Sequence, residues 1–220
     1  MTLYRFDLHI HSVASHCYGG PRDGGAGIIA AAQAHLLSLI AVTDHHSVRG
    51  VKAVQAAARG TGITVLPGME LTCRVGSVDE VFLLAVFPEE FPLRDAERQL
   101  EDWRVPEGAV GSGGYVMEVS VEQVLKKVRA FGGLVLSARA DKTAFRRQAL
   151  PHLLEAGVTL FDLVHRASEH TVFAPLSQDR GQLHFFTFSD AHAPSDIGER
   201  FCERELFEPS FDALLAVLLY

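Results

Sequence analysis

Residues 39–59 read Leu-Ile-Ala-Val-Thr-Asp-His-His-Ser-Val-Arg-Gly-Val-Lys-Ala-Val-Gln-Ala-Ala-Ala-Arg, an apolar run followed by a polar turn and an alanine-rich segment. The run 39–43 is typical of a buried strand, and apolar residues recur at helical spacing over 51–58 until Gly60 ends the pattern. Strands that lead into helices in this way are typical of α/β folds with a parallel sheet. The stretch therefore predicts one strand–helix unit, with polar side chains at the carboxyl end of its strand.

The same alternation of strand and helix continues outward over most of the chain. Strands are predicted at 3–9, 39–43, 63–66, 81–87, 134–138, 160–164 and 183–188. Helices are predicted at 27–37, 48–59, 120–132, 143–156 and 210–220. Such a series predicts a single α/β domain over residues 1–220, folded as a closed or nearly closed (β/α)7 TIM-like barrel, with a doubly wound sheet as the alternative.

One segment departs from the alternation. Residues 88–118 contain three prolines followed by Gly111-Ser-Gly-Gly114, and they are predicted to form a long irregular excursion with a mobile tip. The glycines lack the Gly-Lys-Ser/Thr ending of a phosphate loop, so we interpret them as a linker.

Composition narrows the classes of function. The net charge of −7 over 220 residues argues against a general affinity for nucleic-acid backbones, which calls for a basic face. The three cysteines are widely spaced and form no CxxC pair, so neither a disulfide framework nor a cysteine zinc site is indicated. No apolar run is long enough to span a membrane and no signal segment is visible, which favours a cytoplasmic protein.

Metal-binding residue types follow the ends of four predicted strands. They are His9 and His11, Asp44 and His45, Glu70, and Asp190 and His192. Strand alternation predicts that the first two histidines share one face and that Leu8 and Ile10 share the other. Each cluster alone has an ordinary explanation, such as a helix cap for Asp44, but a barrel brings the carboxyl ends of its strands to one rim.

These residue types indicate a particular kind of metal site. Imidazole and carboxylate ligands together suit zinc, manganese or iron better than magnesium or calcium alone. Glu70 is a candidate bridging ligand, because bridging carboxylates are typical where two ions lie close together. Such a site can lower the pKa of a bound water and stabilise a phosphoryl group.

The motifs Asp7-Leu-His-Ile-His11, Thr43-Asp-His45, Gly68-Met-Glu70 and Ser189-Asp-Ala-His192 resemble those of the PHP (polymerase and histidinol phosphatase) family. The resemblance spans nearly the whole chain and implies a distorted seven-stranded β/α barrel with up to three divalent metals. The family includes histidinol phosphatases, nucleotide phosphoesterases and polymerase-associated exonucleases. The resemblance implies that one metal is held by His9, His11, Glu70 and Asp190, and a second by His45 and His192. It also implies that Asp44 orients His45 or takes a proton.

Three positions depart from the family pattern. A further ligand is expected shortly after the first histidine pair, and His16 is favoured over Asp23. Where the family has histidines on two later strands, this chain has Phe82 and Arg139. Phe82 cannot bind a metal, and the permanent charge of Arg139 disfavours a neighbouring cation. We therefore expect one or two metals (Mn, Zn or Fe), with Arg139 in place of the absent ion as a bidentate phosphate ligand.

The expected function is metal-dependent hydrolysis of a phosphate mono- or diester of a small molecule or nucleotide. Asp44 and Arg139 are the expected catalytic residues, and His165 and Arg166, after the sixth predicted strand, are candidate substrate contacts. The expected partner is a small phosphorylated compound. The alternative is a degenerate module that binds metal or phosphate with little turnover and acts in regulation or as a partner subunit. A proofreading nuclease is less favoured because the chain is acidic.

Overall fold

The computed structural model describes residues 1–176 and 182–219. Its strands are β1 (Thr2–Ile10), β2 (Leu37–Val42), β3 (Thr64–Val75), β4 (Val78–Val86), β5 (Leu134–Ala138), β6 (Leu160–Asp162), β7 (His184–Phe186) and β8 (Cys202–Leu206). Its α-helices are α1 (Ala26–Ala34), α2 (Val51–Ala57), α3 (Leu93–Asp102), α4 (Val121–Ala130), α5 (Ala144–Arg147), α6 (Leu150–Glu155) and α7 (Phe211–Leu219). The strands form one eight-stranded sheet in the order β7-β6-β5-β4-β3-β2-β1-β8.

The predicted α/β barrel is confirmed as the fold class, but the number and direction of strands differ from a (β/α)7 barrel. β1, β2 and β3 pair in parallel, as do β5, β6 and β7. β4 runs antiparallel to both of its neighbours, and β8 runs antiparallel to β1. The sheet is therefore mixed rather than all parallel, because β4 follows β3 without a helical crossover, which reverses its direction, and the last strand, β8, pairs with the first.

Two of these features were not predicted, for different reasons. β8 reads Cys-Glu-Arg-Glu-Leu, with charged residues over its centre, because it is an edge strand whose middle is partly exposed. β3 and β4 form a hairpin in which Val75 pairs with Val78 across Gly76 and Ser77, and Gly76 has a φ of 58°. That Gly-Ser turn is the sequence signal for a direct hairpin between the two strands.

Segment 88–118 is more ordered than a linker. It contains α3 and a 3-10 turn, Glu107–Ala109, so the prediction of an irregular excursion is wrong for these residues. Its glycine cluster is fastened to the barrel: the Gly111 N–H donates to the carbonyl of His45 at 2.8 Å, and the Thr72 hydroxyl donates to the carbonyl of Gly113 at 3.4 Å. The glycines therefore belong to the packed structure around His45.

The other helices lie close to their predicted positions. At the start of α4 the capping box is complete, with Gln123 N–H to Ser120 Oγ at 3.3 Å and Ser120 N–H to Gln123 Oε1 at 3.0 Å. The predicted helix 143–156 is split into α5 and α6, with Pro151 in the first turn of α6, where its missing N–H costs nothing. Tyr220 lies outside the described residues. None of the described helices has the length and apolarity needed to cross a lipid bilayer.

Two hydrophobic cores lie on the two faces of the sheet. The inner core fills the barrel and includes Phe6, Leu66, Leu136 and Phe188, and α7 adds Phe211, Leu214 and Leu218 to it. The outer core lies between the sheet and the remaining helices, where α1, α2, α4 and α6 bury their apolar faces. Alternate residues of each strand therefore serve different cores, as expected for a barrel with an outer helical layer.

The chain after β7 joins the barrel to the end of β1. Ile10 and Ala191 form an isolated parallel bridge, the His11 N–H donates to the Ala191 carbonyl at 2.9 Å, and the Ala191 N–H donates to the His9 carbonyl at 3.2 Å. This join brings the motif 189–192 beside the motif 7–11.

Candidate metal centre

The candidate ligands meet at one rim of the barrel, where β1, β2 and β7 end and β3 continues into its hairpin. The predicted ligands brought together there are His9, His11, His45, Glu70, Asp190 and His192. The Glu70 carboxylate is central, with its oxygens 3.4 Å from His9 Nε2 and 3.5 Å from His11 Nε2. His45 Nδ1 lies 2.9 Å from Glu70 Oε2, and Asp190 Oδ1 lies 3.1 Å from His9 Nε2.

Hydrogen bonds on the far side of two rings decide which nitrogen faces the cluster. His9 Nδ1 donates to Asp162 Oδ2 at 3.1 Å, and His11 Nδ1 donates to Ser15 Oγ at 3.0 Å. Nε2 of both rings therefore faces the carboxylates. Within residues 1–176 and 182–219, both Nε2 atoms are buried and have no hydrogen-bond partner. Unpartnered imidazole nitrogens beside two carboxylates fit the divalent metal that the family resemblance implies.

Asp44, a predicted catalytic residue, is fully buried and holds the loop after β1 in place. Its carboxylate accepts from the Ser12 N–H at 2.7 Å, the Ser12 hydroxyl at 2.6 Å and the Ser15 hydroxyl at 2.7 Å. Because Ser15 donates to Asp44, its oxygen accepts from His11 Nδ1. Gly50 passes so close to this group that a Cβ would overlap the Ser12 hydroxyl. Asp44 therefore positions His11 through Ser15.

β1 does not follow simple alternation at its carboxyl end. Both of its histidines reach the cluster, as predicted. However, Leu8 packs in the inner core and Ile10 in the outer core, so these two residues do not share a face. The register between β1 and β2 shifts between Asp7 and Ile10, and this irregularity changes which way successive side chains point. Asp7 itself is fully buried, and burial raises the pKa of its carboxyl to about 7.

The charges of the cluster stabilise one another. Burial opposes ionisation of Glu70, but His9 and the neighbouring imidazoles hold the pKa of its carboxyl well below the usual range. Burial likewise opposes ionisation of Asp190, and the charge of His9 is the main influence that lowers its pKa. Burial would lower the pKa of His9, but Asp190 and Glu70 raise it well above the usual range. A divalent cation would compete with a proton for the His9 lone pair, so metal binding is expected to release protons.

A second group of ligand atoms includes a cysteine. One atom each from His11, Cys17, His45 and His192 lies within 4.8 Å of the others. His192 Nδ1 donates to the backbone carbonyl of Asp190 at 2.7 Å, which leaves Nε2 as the ligand atom. Burial alone would raise the pKa of the Cys17 thiol, but hydrogen bonds with His192 and His45 outweigh it and lower the pKa to about 7.

His16, the predicted helper of the second metal, is exposed and lies outside both groups. Its backbone N–H donates to the carbonyl of Gly111 at 2.7 Å. The alternative, Asp23, accepts from two backbone N–H groups at the start of α1, at 3.0 and 2.8 Å. Cys17 was not among the predicted candidates, because the cysteine spacing argued against a cysteine metal site, whereas a mixed site needs only one thiolate.

Arg139 lies beside the cluster and not away from it. Its Nε is 3.5 Å from Asp162 Oδ2 and 3.5 Å from Asp190 Oδ2, so the guanidinium balances two carboxylates. Its Nη2 donates to the backbone carbonyls of Phe188 at 3.2 Å and Ser189 at 2.9 Å. These contacts leave Nη1 as the nitrogen that can bind a phosphate oxygen. The predicted bidentate contact would need a second guanidinium nitrogen, and Nε and Nη2 already have other neighbours.

A cavity of about 240 Å³ opens beside the ligands. It is lined by His45, Glu70, Phe82, Gly113, Arg139, Lys142, Arg146, Asp190 and His192. The Arg146 guanidinium lies 4.5 Å from the centroid of the Phe82 ring, a cation–π contact, and its Nε donates to Glu80 at 2.9 Å. At Gly113, a Cβ would lie 2.7 Å from His45 Nε2, so this position requires a glycine. The cavity is therefore anionic on its ligand side and cationic on the side of α5.

The predicted substrate contacts His165 and Arg166 lie elsewhere. Both are exposed, and Arg166 lines a different cavity, of about 330 Å³, between β7 and β8. The backbone N–H groups of Val164 and His165 donate to the buried carboxylate of Asp141, each at 2.8 Å. The chain is turned here by Asp141, and neither side chain lines the cavity beside the cluster.

Comparison with family models and with curated proteins finds no match. Solved structures do match. The lesion-specific endonuclease EndoQ of Pyrococcus furiosus has a TM-score of 0.74 and 18% identity, over 97% of this chain and 55% of that chain. An amidohydrolase of Chromobacterium violaceum, with bound sulfate and no metal, has a TM-score of 0.66 and 19% identity over 91% of each chain. A Bifidobacterium adolescentis protein described as a metal-dependent phosphoesterase has a TM-score of 0.60 and 17% identity, over 97% and 95%.

These likenesses establish the fold. The barrel implied by the resemblance to the PHP family is the barrel that these structures share. The chain spans about half the length of EndoQ, and a second Endonuclease Q structure contains a 27-mer duplex with an abasic lesion at its active site.

Proposed function

We propose that the chain hydrolyses phosphate esters with divalent metals bound by the cluster around Glu70. One observation carries the proposal: buried imidazole nitrogens with no hydrogen-bond partner among the described residues converge on two carboxylates beside a cavity with a cationic rim. A divalent cation bound there lowers the pKa of water and stabilises charge on a phosphoryl group. An endonuclease and a protein described as a metal-dependent phosphoesterase share the fold, which supports this reaction class.

The chain's own cations would bind and orient the phosphate. Arg139, Lys142 and Arg146 line the same cavity as Glu70 and Asp190, so an anionic group attracted by these cations would lie beside the ligands. Asp162 and Asp190 hold the Arg139 guanidinium on the ligand side. A cavity of about 240 Å³ suits a small phosphorylated compound.

A second candidate function is binding with little turnover. The observation in its favour is the ion pair between Arg139 and Asp190, whose Nε and Oδ2 atoms are 3.5 Å apart. A permanent cation at this distance weakens the attraction of the carboxylate for a metal. In that case the protein binds phosphate or metal and acts through another protein.

The test is a phosphatase and phosphodiesterase assay of the metal-loaded protein, with p-nitrophenyl phosphate, its bis ester and an abasic duplex oligonucleotide as substrates. We expect turnover of a small ester with Mn²⁺ or Zn²⁺. Mutation of a residue that only hydrogen-bonds a metal ligand typically lowers metal affinity or activity by about 10–100-fold. His11→Ala removes a ligand itself, so it is expected to lower the rate by more than about 100-fold. The matched control is His152→Ala, a surface histidine 57% exposed, which should leave the rate unchanged.

Each outcome decides between the candidates. Phosphate binding without turnover in the metal-loaded protein would favour the second function. Cleavage of the oligonucleotide alone would overturn the small-molecule substrate and the expectation that the acidic chain avoids nucleic acid.

A further inference from the structure

We infer that Cys17, His45 and His192 form a thiolate-containing metal position that selects zinc over manganese. The inference deepens the proposed function, because it concerns the same cluster and assigns a ligand and a metal to one part of it. It starts from the four ligand atoms, one of them the Cys17 sulfur, that lie within 4.8 Å of one another.

The loop that carries Cys17 is fastened on both sides of the residue. On one side, the Ser15 hydroxyl is held by Asp44 at 2.7 Å and the His16 N–H by Gly111 at 2.7 Å. On the other side, the Tyr18 N–H donates to Ser15 at 3.1 Å. The next residue of the loop, at position 19, donates its N–H to the carbonyl of His192 at 2.8 Å. These bonds hold the thiol between two loops that each carry a histidine.

A second observation points to a ligand at the same place. The His45 side chain is only 9% exposed, and within the described residues its Nδ1 is buried without a hydrogen-bond partner. Nδ1 lies 2.9 Å from Glu70 Oε2 without the geometry of a hydrogen bond. A buried polar atom left in this way costs free energy unless something else binds it.

The ligand atoms can be assigned to two metal positions, because each imidazole nitrogen has one lone pair and can bind one metal. His11 Nε2 has one lone pair and lies 3.5 Å from oxygens of both Glu70 and Asp190, so it belongs with His9 in the carboxylate-rich group. The other position then keeps one sulfur and two nitrogens. Three protein ligands and an open fourth place is the arrangement of catalytic zinc sites, which include sites with cysteine and histidine ligands.

The donor set explains the selectivity. A thiolate is a soft ligand that suits zinc, whereas manganese prefers oxygen ligands. The neighbouring position, with two carboxylates and two imidazoles, can accept manganese, iron or zinc. The chain would therefore hold two chemically different positions a few ångströms apart.

The test replaces zinc by Co²⁺, whose bond to a thiolate gives a sulfur-to-cobalt charge-transfer band in the near ultraviolet. We expect this band in the metal-free protein titrated with Co²⁺, and we expect Cys17→Ala to abolish it and to lower bound zinc by about one ion per chain. Cys17→His should restore the zinc without the band, which separates loss of a ligand from loss of the fold. The controls are His16→Ala and Cys202→Ala, which should both keep the band.

Three results would overturn the inference: no charge-transfer band in the unaltered protein, a band that survives Cys17→Ala, or a band lost in His16→Ala. The readout is independent of hydrolysis. A protein that shows the band but has no phosphatase activity would contradict the proposed function alone, and an active protein without the band would contradict this inference alone.

Discussion

At the scale of single residues, Asp162 controls which nitrogen His9 presents to the cluster. Its Oδ2 accepts from His9 Nδ1 at 3.1 Å, and its Oδ1 accepts from the Phe188 N–H at 2.9 Å. Both oxygens are therefore used by donors whose positions are set by other strands. Asp162 is fully buried at the end of β6 and was not predicted, because nothing in the sequence around it resembles a metal motif.

Asp162→Asn tests this role. The amide oxygen can keep the bond to the Phe188 N–H, but the amide nitrogen then faces His9 Nδ1, and the ring must place its proton on Nε2. Metal affinity is expected to fall by about 10–100-fold, measured by competition with a chromogenic chelator. Asp141→Asn is the matched control, since this buried carboxylate accepts from two backbone N–H groups and the Ser168 hydroxyl. An equal loss of affinity in the control would contradict the role of Asp162.

At the scale of elements, α4 shows a helix whose position follows from its own sequence. Ser120 and Gln123 satisfy each other's backbone N–H groups, and the apolar face of the helix packs in the outer core. Helix α3, by contrast, begins after Pro92 within a segment that reads as a linker, and only three of its residues, Ala96, Gln99 and Leu100, are buried. Its short apolar face explains why the periodicity did not reveal it.

Ser120→Ala is expected to lower the free energy of unfolding by about 1 kcal/mol, because the Gln123 N–H loses its acceptor at the helix start. Urea unfolding followed by circular dichroism measures the change. The control is Ser77→Ala, an exposed position in the turn between β3 and β4. Metal affinity should not change, since α4 supplies no ligand; a loss of affinity would show that the helix contributes to the site.

At the scale of the whole molecule, the ligands join segments that are far apart in the chain. They come from the end of β1, the loop after β2, β3 and the segment after β7. The same segments close the barrel through the bridge between Ile10 and Ala191. A metal bound there would link the first and last parts of the barrel, and its binding free energy would add to the stability of the fold.

Metal binding is therefore expected to raise the melting temperature. At a zinc concentration of 100 times the Kd, the free energy of unfolding rises by about 2.7 kcal/mol. For a chain of this size, that rise corresponds to an increase in melting temperature of about 5–10 °C. Differential scanning calorimetry of metal-free and zinc-loaded protein measures the shift, and a chelator should reverse it. Asp190→Asn should reduce the shift and His152→Ala should preserve it. A melting temperature indifferent to zinc in the unaltered protein would contradict a metal held by this cluster.

Much of the fold could be predicted, because strand and helix patterns are local properties of the chain. The histidine and carboxylate motifs could also be placed together, since a barrel gathers the ends of its parallel strands at one rim. β8 could not be predicted, because an edge strand with one exposed face carries little hydrophobic signal. The hairpin of β3 and β4 was not predicted, because its only sequence signal is the short Gly-Ser turn and the surrounding pattern favoured helical crossovers between strands.

The loop after β1 shows most clearly what the local sequence determines and what depends on tertiary contacts. The resemblance to the PHP family implies that a ligand follows the first histidine pair, and the sequence near position 16 limits which side chains are available there. Whether His16 or Cys17 turns toward the cluster depends on hydrogen bonds to Asp44, Gly111 and His192, which lie on three other segments. Asp162 and Arg139 likewise take their roles from distant partners. Such contacts form only when the barrel closes, because the local sequence does not determine which distant segment a side chain will contact.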